Sequence, residues 1–217
     1  MKVLGFNGSP RKQWNTAELL NNALQGAQSK GAEIELIHLY DLNFKGCISC
    51  FACKTKGGKS YGKCGVRDDL TPVLEKVEQA AAIIVGSPVY FGSVSGEIRS
   101  FMERLLFPYL TYTTSPQSLF PKKINAGFIY TMNIPEDKAQ EFNYDKNIKQ
   151  HETVFKRILG GNVESLCSFD TYQFPDYTKV VADRFDPVQK RKRREEVFPT
   201  DCKRAFALGA ALLEYEN

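Results

Sequence analysis

The sequence contains very little histidine and no catalytic histidine motif, and this shortage argues against several classes of enzyme. Only two histidines occur among 217 residues. There is no His-Glu-x-x-His zinc motif and no Gly-x-Ser-x-Gly nucleophile turn, which disfavours metallopeptidases and serine hydrolases. His38 and His151 have no motif partner either, so we interpret both as structural residues.

Long apolar runs are also missing. The longest, Ala80–Gly86 and Ala205–Leu213, fall far short of the roughly 20 residues that cross a membrane. The N-terminal run Val3–Phe6 is short and has no signal-peptide cleavage site after it. We therefore expect a cytoplasmic protein without a membrane partner. In that compartment the six cysteines are expected to be thiols or ligands rather than disulfides.

A strong excess of charge of one sign is absent as well. Lysine and arginine number 29, aspartate and glutamate 25, and the net charge is +4. This mild excess does not indicate a nucleic-acid binder. The densest basic run is Lys190–Arg194, followed directly by two glutamates. We interpret this run as the solvent-facing side of a helix.

What is present is an alternation of strand and helix patterns. We predict one α/β domain over residues 1–217, with five strands and crossover helices that form a doubly wound parallel sheet. The predicted strands are Lys2–Asn7, Ile34–Leu39, Ala82–Gly86, Ile124–Thr131 and Val163–Phe169. The predicted helices are Asn15–Ser29, a helix from a cap at Asp68 or Asp69 to about Gln79 with Pro72 in its first turn, Glu97–Phe107, Glu136–Leu159 and Lys203–Tyr215. Such sheets bind ligands beyond the carboxyl ends of their strands.

Two long irregular segments, Pro108–Lys123 and Asp170–Pro187, interrupt this alternation. They carry aromatic residues at Tyr109, Tyr112, Phe120, Tyr172, Phe174, Tyr177 and Phe185. Long loops in compact domains are usually functional or interfacial. We expect these aromatic side chains to pack on the sheet or on a second subunit rather than to contact a substrate.

The first predicted strand runs directly into Gly8-Ser9-Pro10-Arg11-Lys12-Gln13-Trp14-Asn15-Thr16, and a helix follows. The start of a helix has peptide N–H groups without partners and a partial positive charge. A glycine, two hydroxyl groups, an amide and two cations surround that point, which favours a site for a dianionic phosphate. The loop is neither a P-loop nor a dinucleotide fingerprint. The alternative is a plain turn capped by Ser9 or Asn15.

A second loop follows the third predicted strand and reads Ser87-Pro88-Val89-Tyr90-Phe91-Gly92-Ser93-Val94-Ser95-Gly96. Pro88 fixes one backbone dihedral angle, and Gly92 permits unusual ones. The loop emerges at the sheet edge that also carries the first loop, Gly8–Thr16, which we call the phosphate loop. This combination suits flavin mononucleotide (FMN), which is a planar ring on a phosphorylated tail. The alternative is a structural turn in which Tyr90 and Phe91 fill the core.

In combination, the two loops resemble those of the flavodoxin-like family of NAD(P)H-dependent FMN reductases. The branch that contains the iron–sulfur flavoproteins is the most similar. Its members also resemble this chain in the cysteines between the loops, in the pair Asp68-Asp69 and in the stretch from Phe185 to Cys202. The resemblance covers nearly the whole chain. It implies a flavodoxin-like sheet of five parallel strands in the order 2-1-3-4-5.

The resemblance also implies a set of cofactor contacts. The FMN phosphate would be held by Ser9, Arg11, Asn15 and Thr16, and the ring would lie against Pro88, Val89, Tyr90, Phe91, Gly92 and Ser93. The turn Thr131-Met132-Asn133 would close the other edge of the ring. Trp14 departs from the family, whose members often have glycine at this position. Family members are often homodimers or larger assemblies with FMN near the subunit boundary, so a homodimer is expected.

Four cysteines, Cys47, Cys50, Cys53 and Cys64, follow the second predicted strand, separated by two, two and ten residues. Thiolates in such a group are ligands for iron–sulfur clusters and for zinc. Iron–sulfur flavoproteins have a similar motif that holds a four-iron cluster, with a last gap that is usually shorter. A [4Fe-4S] cluster, a zinc ion and free or redox-active thiols all stay open. Cys167 is expected to be a small core residue.

We therefore expect an FMN-dependent oxidoreductase. It takes hydride from NADH or NADPH and passes electrons to a small acceptor, such as a quinone, free flavin, a nitroaromatic compound or an electron carrier. A first alternative is an electron carrier whose FMN and four-iron cluster exchange electrons with ferredoxin-like partners. A second is a redox or metal sensor that reads its state through the four cysteines.

Overall fold

A parallel sheet lies at the centre of the structure, a computed structural model that describes residues 1–115 and 117–214. The strands are β1 Lys2–Asn7, β2 Glu33–His38, β3 Ala82–Tyr90, β4 Ser93–Val94, β5 Ile124–Thr131 and β6 Gly160–Ser168. The helices are α1 Asn15–Ser29, α2 Thr71–Gln79, α3 Gly96–Leu106, α4 Glu136–Glu141, α5 Tyr144–Leu159, α6 Pro187–Lys192 and α7 Phe198–Ala211. A π-helical turn, Arg193–Val197, joins α6 to α7.

The order of the parallel strands is β2-β1-β3-β5-β6. This confirms the predicted flavodoxin-like order, because the fourth and fifth predicted strands are β5 and β6. All four neighbouring pairs along this path are parallel. The carboxyl ends of the strands therefore meet at one edge of the sheet, and the chain leaves that edge in the segments after β1, β3, β5 and β6.

Both faces of the sheet are buried, which explains why its central strand is apolar throughout. Ile83 and Ile84 of β3 are fully buried and point to opposite faces. Helices α2, α3 and α5 cover the face of Ile83, and α1 and α7 cover the face of Ile84. Within residues 1–115 and 117–214, no helix combines the length and the apolar character needed to cross a membrane.

The predicted loop Ser87–Gly96 is largely regular structure. Strand β3 continues to Tyr90 and turns back into β4, with which it pairs antiparallel. The turn residues Phe91 and Gly92 both have positive φ, 50° and 78°. Two such residues form the tight turn whose twist matches a hairpin. The second loop therefore contains a β-hairpin at the carboxyl end of β3.

Several predicted boundaries also differ from the structure. The predicted helix Glu136–Leu159 is two helices, α4 and α5, that break at Asn143, where φ is 57°. The last helix begins at Phe198, with a proline in its first turn, rather than at Lys203. Its predicted end, Tyr215, lies outside the described residues.

The predicted caps of α2 were wrong as well. No side chain caps this helix, although Pro72 does lie in its first turn. Instead, the Asp68 carboxylate forms a two-pronged ion pair with the buried Arg104 of α3, at 2.7 and 3.1 Å. Asp69 accepts a hydrogen bond from the peptide N–H of Asn43 at 2.8 Å. The two carboxylates thus fasten the segment before α2 to its neighbours.

Helices α1 and α7 approach each other closely, and two glycines make this possible. A Cβ atom at Gly209 would lie 1.8 Å from the carbonyl oxygen of Ala23, and one at Gly26 would lie 1.9 Å from that of Phe206. Backbone therefore packs on backbone where the two helices cross. This contact fixes α1, whose first turn lies at the carboxyl edge of the sheet.

We expect Gly209→Ala to lower the free energy of unfolding by about 2 kcal/mol, because the new methyl group forces the two helices apart. Equilibrium unfolding in urea measures this change. Gly96→Ala is the matched control, since a Cβ atom there has no neighbour within 4 Å. Equal stability of Gly209→Ala and the unaltered protein would contradict the close helix contact.

Candidate functional site

The two predicted loops meet at the carboxyl edge of the sheet. The peptide N–H of Gly8 donates to the carbonyl oxygen of Gly86 at 2.8 Å, which joins the ends of β1 and β3. The Ser95 hydroxyl donates to the carbonyl oxygen of Gly8 at 2.7 Å, and the peptide N–H of Ser95 donates to the hydroxyl of Ser87 at 2.9 Å. The phosphate loop and the hairpin therefore form one connected surface.

The start of α1 is buried but has no side-chain cap. Asn15 and Thr16 are 6% and 3% exposed, and the residue before the helix, Trp14, makes no capping hydrogen bond. The Ser9 hydroxyl instead accepts from the peptide N–H of Arg11 at 3.1 Å, which tightens the loop. The interpretation of Ser9 or Asn15 as a helix cap was therefore wrong. Uncapped N–H groups and the helix dipole make this point electropositive.

Residues 170–173, which we call the strap, cross the phosphate loop. The side chains of Trp14 and Asn15 both donate to the carbonyl oxygen of Tyr172, at 3.1 and 2.8 Å. The Arg11 guanidinium donates to the carbonyl oxygen of Gln173 at 2.6 Å and lies 4.4 Å from the centre of the Trp14 ring. Trp14 is thus a structural link to the strap. The sequence contains no motif for the strap, because its acceptors are backbone carbonyls.

Two threonines link α1 to the end of β5. The hydroxyl of Thr16 lies 2.7 Å from the hydroxyl of Thr131, and both residues are buried. Ser9, Arg11, Asn15, Thr16 and Thr131, which were predicted from separate segments, are therefore brought to one region. Lys12 is not part of it, because it forms an exposed ion pair with Asp41 at 2.5 Å.

A cavity of about 520 Å³ opens beyond the ends of β3, β5 and β6. Its apolar wall consists of Val89, Met132, Ile134, Pro135, Phe142 and Phe185. Its charged lining consists of Lys138, Asp170, Arg184, Asp186 and Lys190. Of the hairpin, Val89 contributes to the wall, whereas Tyr90 is 44% exposed and Phe91 is fully exposed. The alternative that Tyr90 and Phe91 fill the core was therefore wrong.

The seven aromatic residues of the two irregular segments differ in burial. Tyr109 and Phe120 are buried and pack edge to face, with ring centres 4.9 Å apart. Tyr177 is buried against the half-buried rings of Tyr172 and Phe174. Tyr112 is 69% exposed, and Phe185 lines the cavity. Packing in the core beside the sheet is thus confirmed for Tyr109 and Phe120, while the second subunit stays a prediction.

The basic run Lys190–Arg194 is not a solvent-facing stripe, so that interpretation was wrong. Lys190 is 4% exposed and forms an ion pair with Asp170 of the strap. Arg191 and Lys192 do face solvent.

The two arginines at the end of this run also turn inward. Arg193 pairs with the buried Asp201 at 2.5 Å, and Arg194 pairs with Glu18 of α1 at 2.6 Å. Both arginines belong to the π-helical turn, whose wider spiral places adjacent side chains against the protein.

The four predicted ligand cysteines line one small cavity of about 20 Å³. All are free thiols, with Cys47 and Cys50 exposed, Cys64 half-buried and Cys53 buried. Left-handed backbone at Ser49 and Phe51 folds this segment tightly, with φ of 54° and 53°. Among the described residues, no three thiol, imidazole or carboxylate groups are already arranged to hold a metal ion.

Two cations hold the cysteine loop, residues 47–64: Arg104 of α3 and Lys54 of the loop itself. The buried Arg104 donates from Nε to the sulfur of Cys64 at 3.0 Å. Lys54 donates to the carbonyl oxygens of Phe107 and Leu110, both at 2.5 Å, at the end of α3. Burial raises the pKa of the Cys53 thiol, although the charge of Lys54 opposes this shift.

The isolated titratable residues lie in structural positions. The Asn7 amide donates to Nδ1 of His38 at 2.9 Å. His151 is buried, 3.3 Å from the Tyr130 hydroxyl, and burial lowers its pKa. Burial raises the pKa of Cys167 to about 12 and that of Cys202 to about 11. Cys167 also packs against the core, as predicted.

About half of the chain is similar to curated iron–sulfur flavoproteins. It is 43% identical over 104 residues to one from Methanocaldococcus jannaschii, an alignment that covers 48% of this chain and 51% of the relative. It is 41% identical over 104 residues to one from Archaeoglobus fulgidus, covering 48% of each. The chain thus spans about half the length of the curated relatives it matches.

Two solved structures share the fold over nearly the whole chain. An NAD(P)H:quinone oxidoreductase from Methanothermobacter marburgensis superposes with a TM-score of 0.72 at 15% identity, covering 98% of each chain. An FMN-dependent NADH-azoreductase from Bacillus anthracis, solved with FMN, gives a TM-score of 0.65 at 15% identity, covering 97% of this chain and 98% of that one. They establish a flavodoxin-like fold.

The model of one protein family covers both loops, the cysteines and the end of β5. It is described as NADPH-dependent FMN reductase and matches residues 1–132, which is more than half of the chain. The chain therefore belongs to the NADPH-dependent FMN reductase family.

Proposed function

We propose that this protein is an FMN-dependent oxidoreductase. It takes hydride from NADH or NADPH and passes electrons to a small acceptor, such as a quinone, a flavin, a nitroaromatic compound or an electron carrier. The observation that carries this proposal is the uncapped, buried start of α1, joined by the strap to a cavity of about 520 Å³. The family match and the quinone oxidoreductase and azoreductase names of the solved relatives support it.

The residues at this place fit FMN in chemistry and in size. Peptide N–H groups, the hydroxyls of Ser9 and Thr16, the Asn15 amide and the Arg11 guanidinium are donors that a phosphate ester requires. The cavity lies within the range of pockets that hold small organic ligands, about 300–1,000 Å³, and its lining combines an apolar wall with charged groups. We assign the ring to Pro88, Val89, Tyr90, Phe91, Gly92, Ser93 and Thr131.

The protein would supply binding, orientation and exclusion of water. When bound, FMN supplies hydride acceptance and electron transfer. Arg11 and the dipole of α1 would balance the phosphate charge, and Phe142 and Phe185 would give the ring apolar contact surface. The hairpin would present peptide N–H groups, which stabilise negative charge near them. Nicotinamide and acceptor are assigned to the same open face of the flavin ring, which they would occupy in turn.

We expect Arg11→Gln to weaken FMN binding about tenfold, because it removes a charge-assisted donor from the phosphate site. Titration of the apoprotein with FMN, followed by flavin fluorescence, measures the dissociation constant. Lys12→Gln is the matched control, since it removes the same charge from a neighbouring residue whose partner is Asp41. Equal effects of the two variants would contradict the assignment of Arg11 to the phosphate.

We expect NADH or NADPH to bleach the visible absorbance of the flavin under anaerobic conditions. Steady-state rates against both substrates should give parallel double-reciprocal lines, because donor and acceptor use one open face of the flavin ring in turn. Intersecting lines would argue against the shared face. Negligible bleaching by either nucleotide, together with rapid reduction by ferredoxin, would favour an electron carrier over a reductase.

We include a homodimer in this proposal. Phe91 at the hairpin tip is fully exposed, and Phe142 at the cavity mouth is 54% exposed. Exposed aromatic residues beside a ligand cavity suit burial by a second subunit. A second copy placed there would cover the open side of the cavity.

A second candidate function is that of an iron–sulfur flavoprotein. It would hold a [4Fe-4S] cluster and exchange electrons with ferredoxin-like partners. The observation that favours it is that Cys47, Cys50, Cys53 and Cys64 all line one cavity. Four thiols have the chemistry of a cluster site. The names of the curated relatives support this candidate. The cavity is small, so we infer that the loop between Cys53 and Cys64, which contains three glycines, opens to receive a cluster.

We expect the anaerobically purified protein to contain about four iron and four sulfide per chain, the content of a [4Fe-4S] cluster. Cys64→Ala should lower both contents sharply, because it removes a ligand thiol. Cys167→Ala is the control, since this thiol lies apart from the cysteine cavity. Iron-free protein that cannot be reconstituted would exclude the cluster, and bound zinc would assign the thiols to that metal.

A further inference from the structure

The side-chain amide of Asn15, at the start of α1, forms hydrogen bonds at both its oxygen and its nitrogen. Its Oδ1 accepts from Nη1 of Arg194 at 3.3 Å, and its Nδ2 donates to the carbonyl oxygen of Tyr172 at 2.8 Å. An arginine only donates and a carbonyl only accepts, so a flipped amide would lose both bonds. The amide nitrogen has two hydrogens. One is bound by Tyr172, and the other is left for a ligand at the electropositive start of the helix.

Arg194 is itself held in place. Its Nη2 donates to the Glu18 carboxylate at 2.6 Å, and its guanidinium lies 4.1 Å from the centre of the Phe198 ring. Phe198 is 2% exposed, so the surface under the guanidinium is fixed by the core. Contacts on two sides leave Arg194 little freedom to release the Asn15 oxygen.

Lys190 holds a second asparagine amide in the same way. The Lys190 ammonium donates to Oδ1 of Asn133, while Nδ2 of Asn133 donates to Oε1 of Gln173 at 2.6 Å. Lys190 also donates to the backbone oxygen of Asn133 at 3.3 Å and pairs with Asp170. An ammonium only donates, so this amide too keeps its nitrogen on the strap side. Asn133 lines the cavity of about 520 Å³ and follows Met132 and Thr131, of which Thr131 is assigned to the ring in the proposed function.

We infer that Lys190 and Arg194 are positioning residues that fix the orientation of two amides at the FMN site. Arg194 acts at the phosphate end through Asn15, and Lys190 acts at the ring end through Asn133. The inference rests on the proposed function, because it assigns the phosphate loop to FMN. It concerns residues beyond 132, where the family match ends, so the match itself does not assign them a role.

A comparison of FMN with riboflavin distinguishes the role of Arg194 at the phosphate end from that of Lys190 at the ring end. Riboflavin has the same ring as FMN but no phosphate. Loss of Arg194 removes the donor to the Asn15 oxygen, so that only the bond to Tyr172 keeps the amide nitrogen in place. An amide that turns over presents its oxygen to the phosphate, which repels it. This harms FMN binding and leaves riboflavin binding unchanged. Loss of Lys190 disturbs the ring end, which both ligands share.

The experiment measures dissociation constants for FMN and for riboflavin with each variant. Arg194→Gln should weaken FMN binding about tenfold, the size expected for one charge-assisted hydrogen bond, and leave riboflavin unchanged. Lys190→Met should weaken both ligands by a similar factor, but should weaken them no further in protein that already carries Asn133→Ala, because Lys190 acts through that amide. A further loss in the double variant would show a general structural role for Lys190. Arg191→Gln and Lys192→Gln are the controls, because they remove the same charge from exposed positions of the same run. Neither control should change either constant.

Equal weakening of both ligands by Arg194→Gln would show a general structural role and overturn the inference. Unchanged FMN binding would overturn it as well. Where Arg194→Gln does not fold, Arg194→Lys is measured instead, and a loss confined to FMN supports the same conclusion. If the unaltered protein binds neither FMN nor riboflavin, the proposed function fails, and the inference fails with it. If it binds both equally, the phosphate assignment fails and the role of Arg194 fails with it, while a flavin-dependent function stands.

Discussion

The peptide N–H groups at the start of α1 have no side-chain cap, and the site is arranged around this electropositive point. The helix cannot move away from the sheet edge, because α7 crosses it in backbone contact at Gly26 and Gly209. The strap approaches from the other side and accepts hydrogen bonds from the loop before the helix. A buried helix start without a cap needs an acceptor from outside its own segment. An anionic ligand satisfies that need.

The sheet and the meeting of the two loops could be predicted from the sequence, because apolar strands and their following loops are local patterns. The strap could not, since its hydrogen bonds to Trp14 and Arg11 join residues 158 and 162 positions apart. The basic run was misread for the same reason. Its acidic partners, Asp170, Asp201 and Glu18, are not adjacent to it in the sequence. The hairpin was missed because Phe91 takes a conformation that a phenylalanine rarely adopts.

The cysteine loop depends on one buried arginine. Arg104 donates to the Cys64 sulfur, to both oxygens of Asp68, and to the carbonyl oxygens of Lys45 and Val66. These bonds use all five N–H groups of the guanidinium. The arginine therefore joins the chain before the first cysteine to the chain around the last. The ten-residue gap between Cys53 and Cys64 is visible in the sequence. The residue that holds Cys64 to the chain before Cys47 is Arg104, which lies on α3.

The family match ends at residue 132, but the apolar layer on one face of the sheet does not. Ile84 and Ile129, which lie inside the match, pack in one cluster with Leu166, Leu208 and Leu212, which lie outside it. A fragment cut at the match boundary would expose this layer to water along the two central strands. The end of the family match at residue 132 is therefore not the end of the packed core. Residues after 132 complete the apolar layer on this face of the sheet, and that layer needs them as much as it needs the residues inside the match.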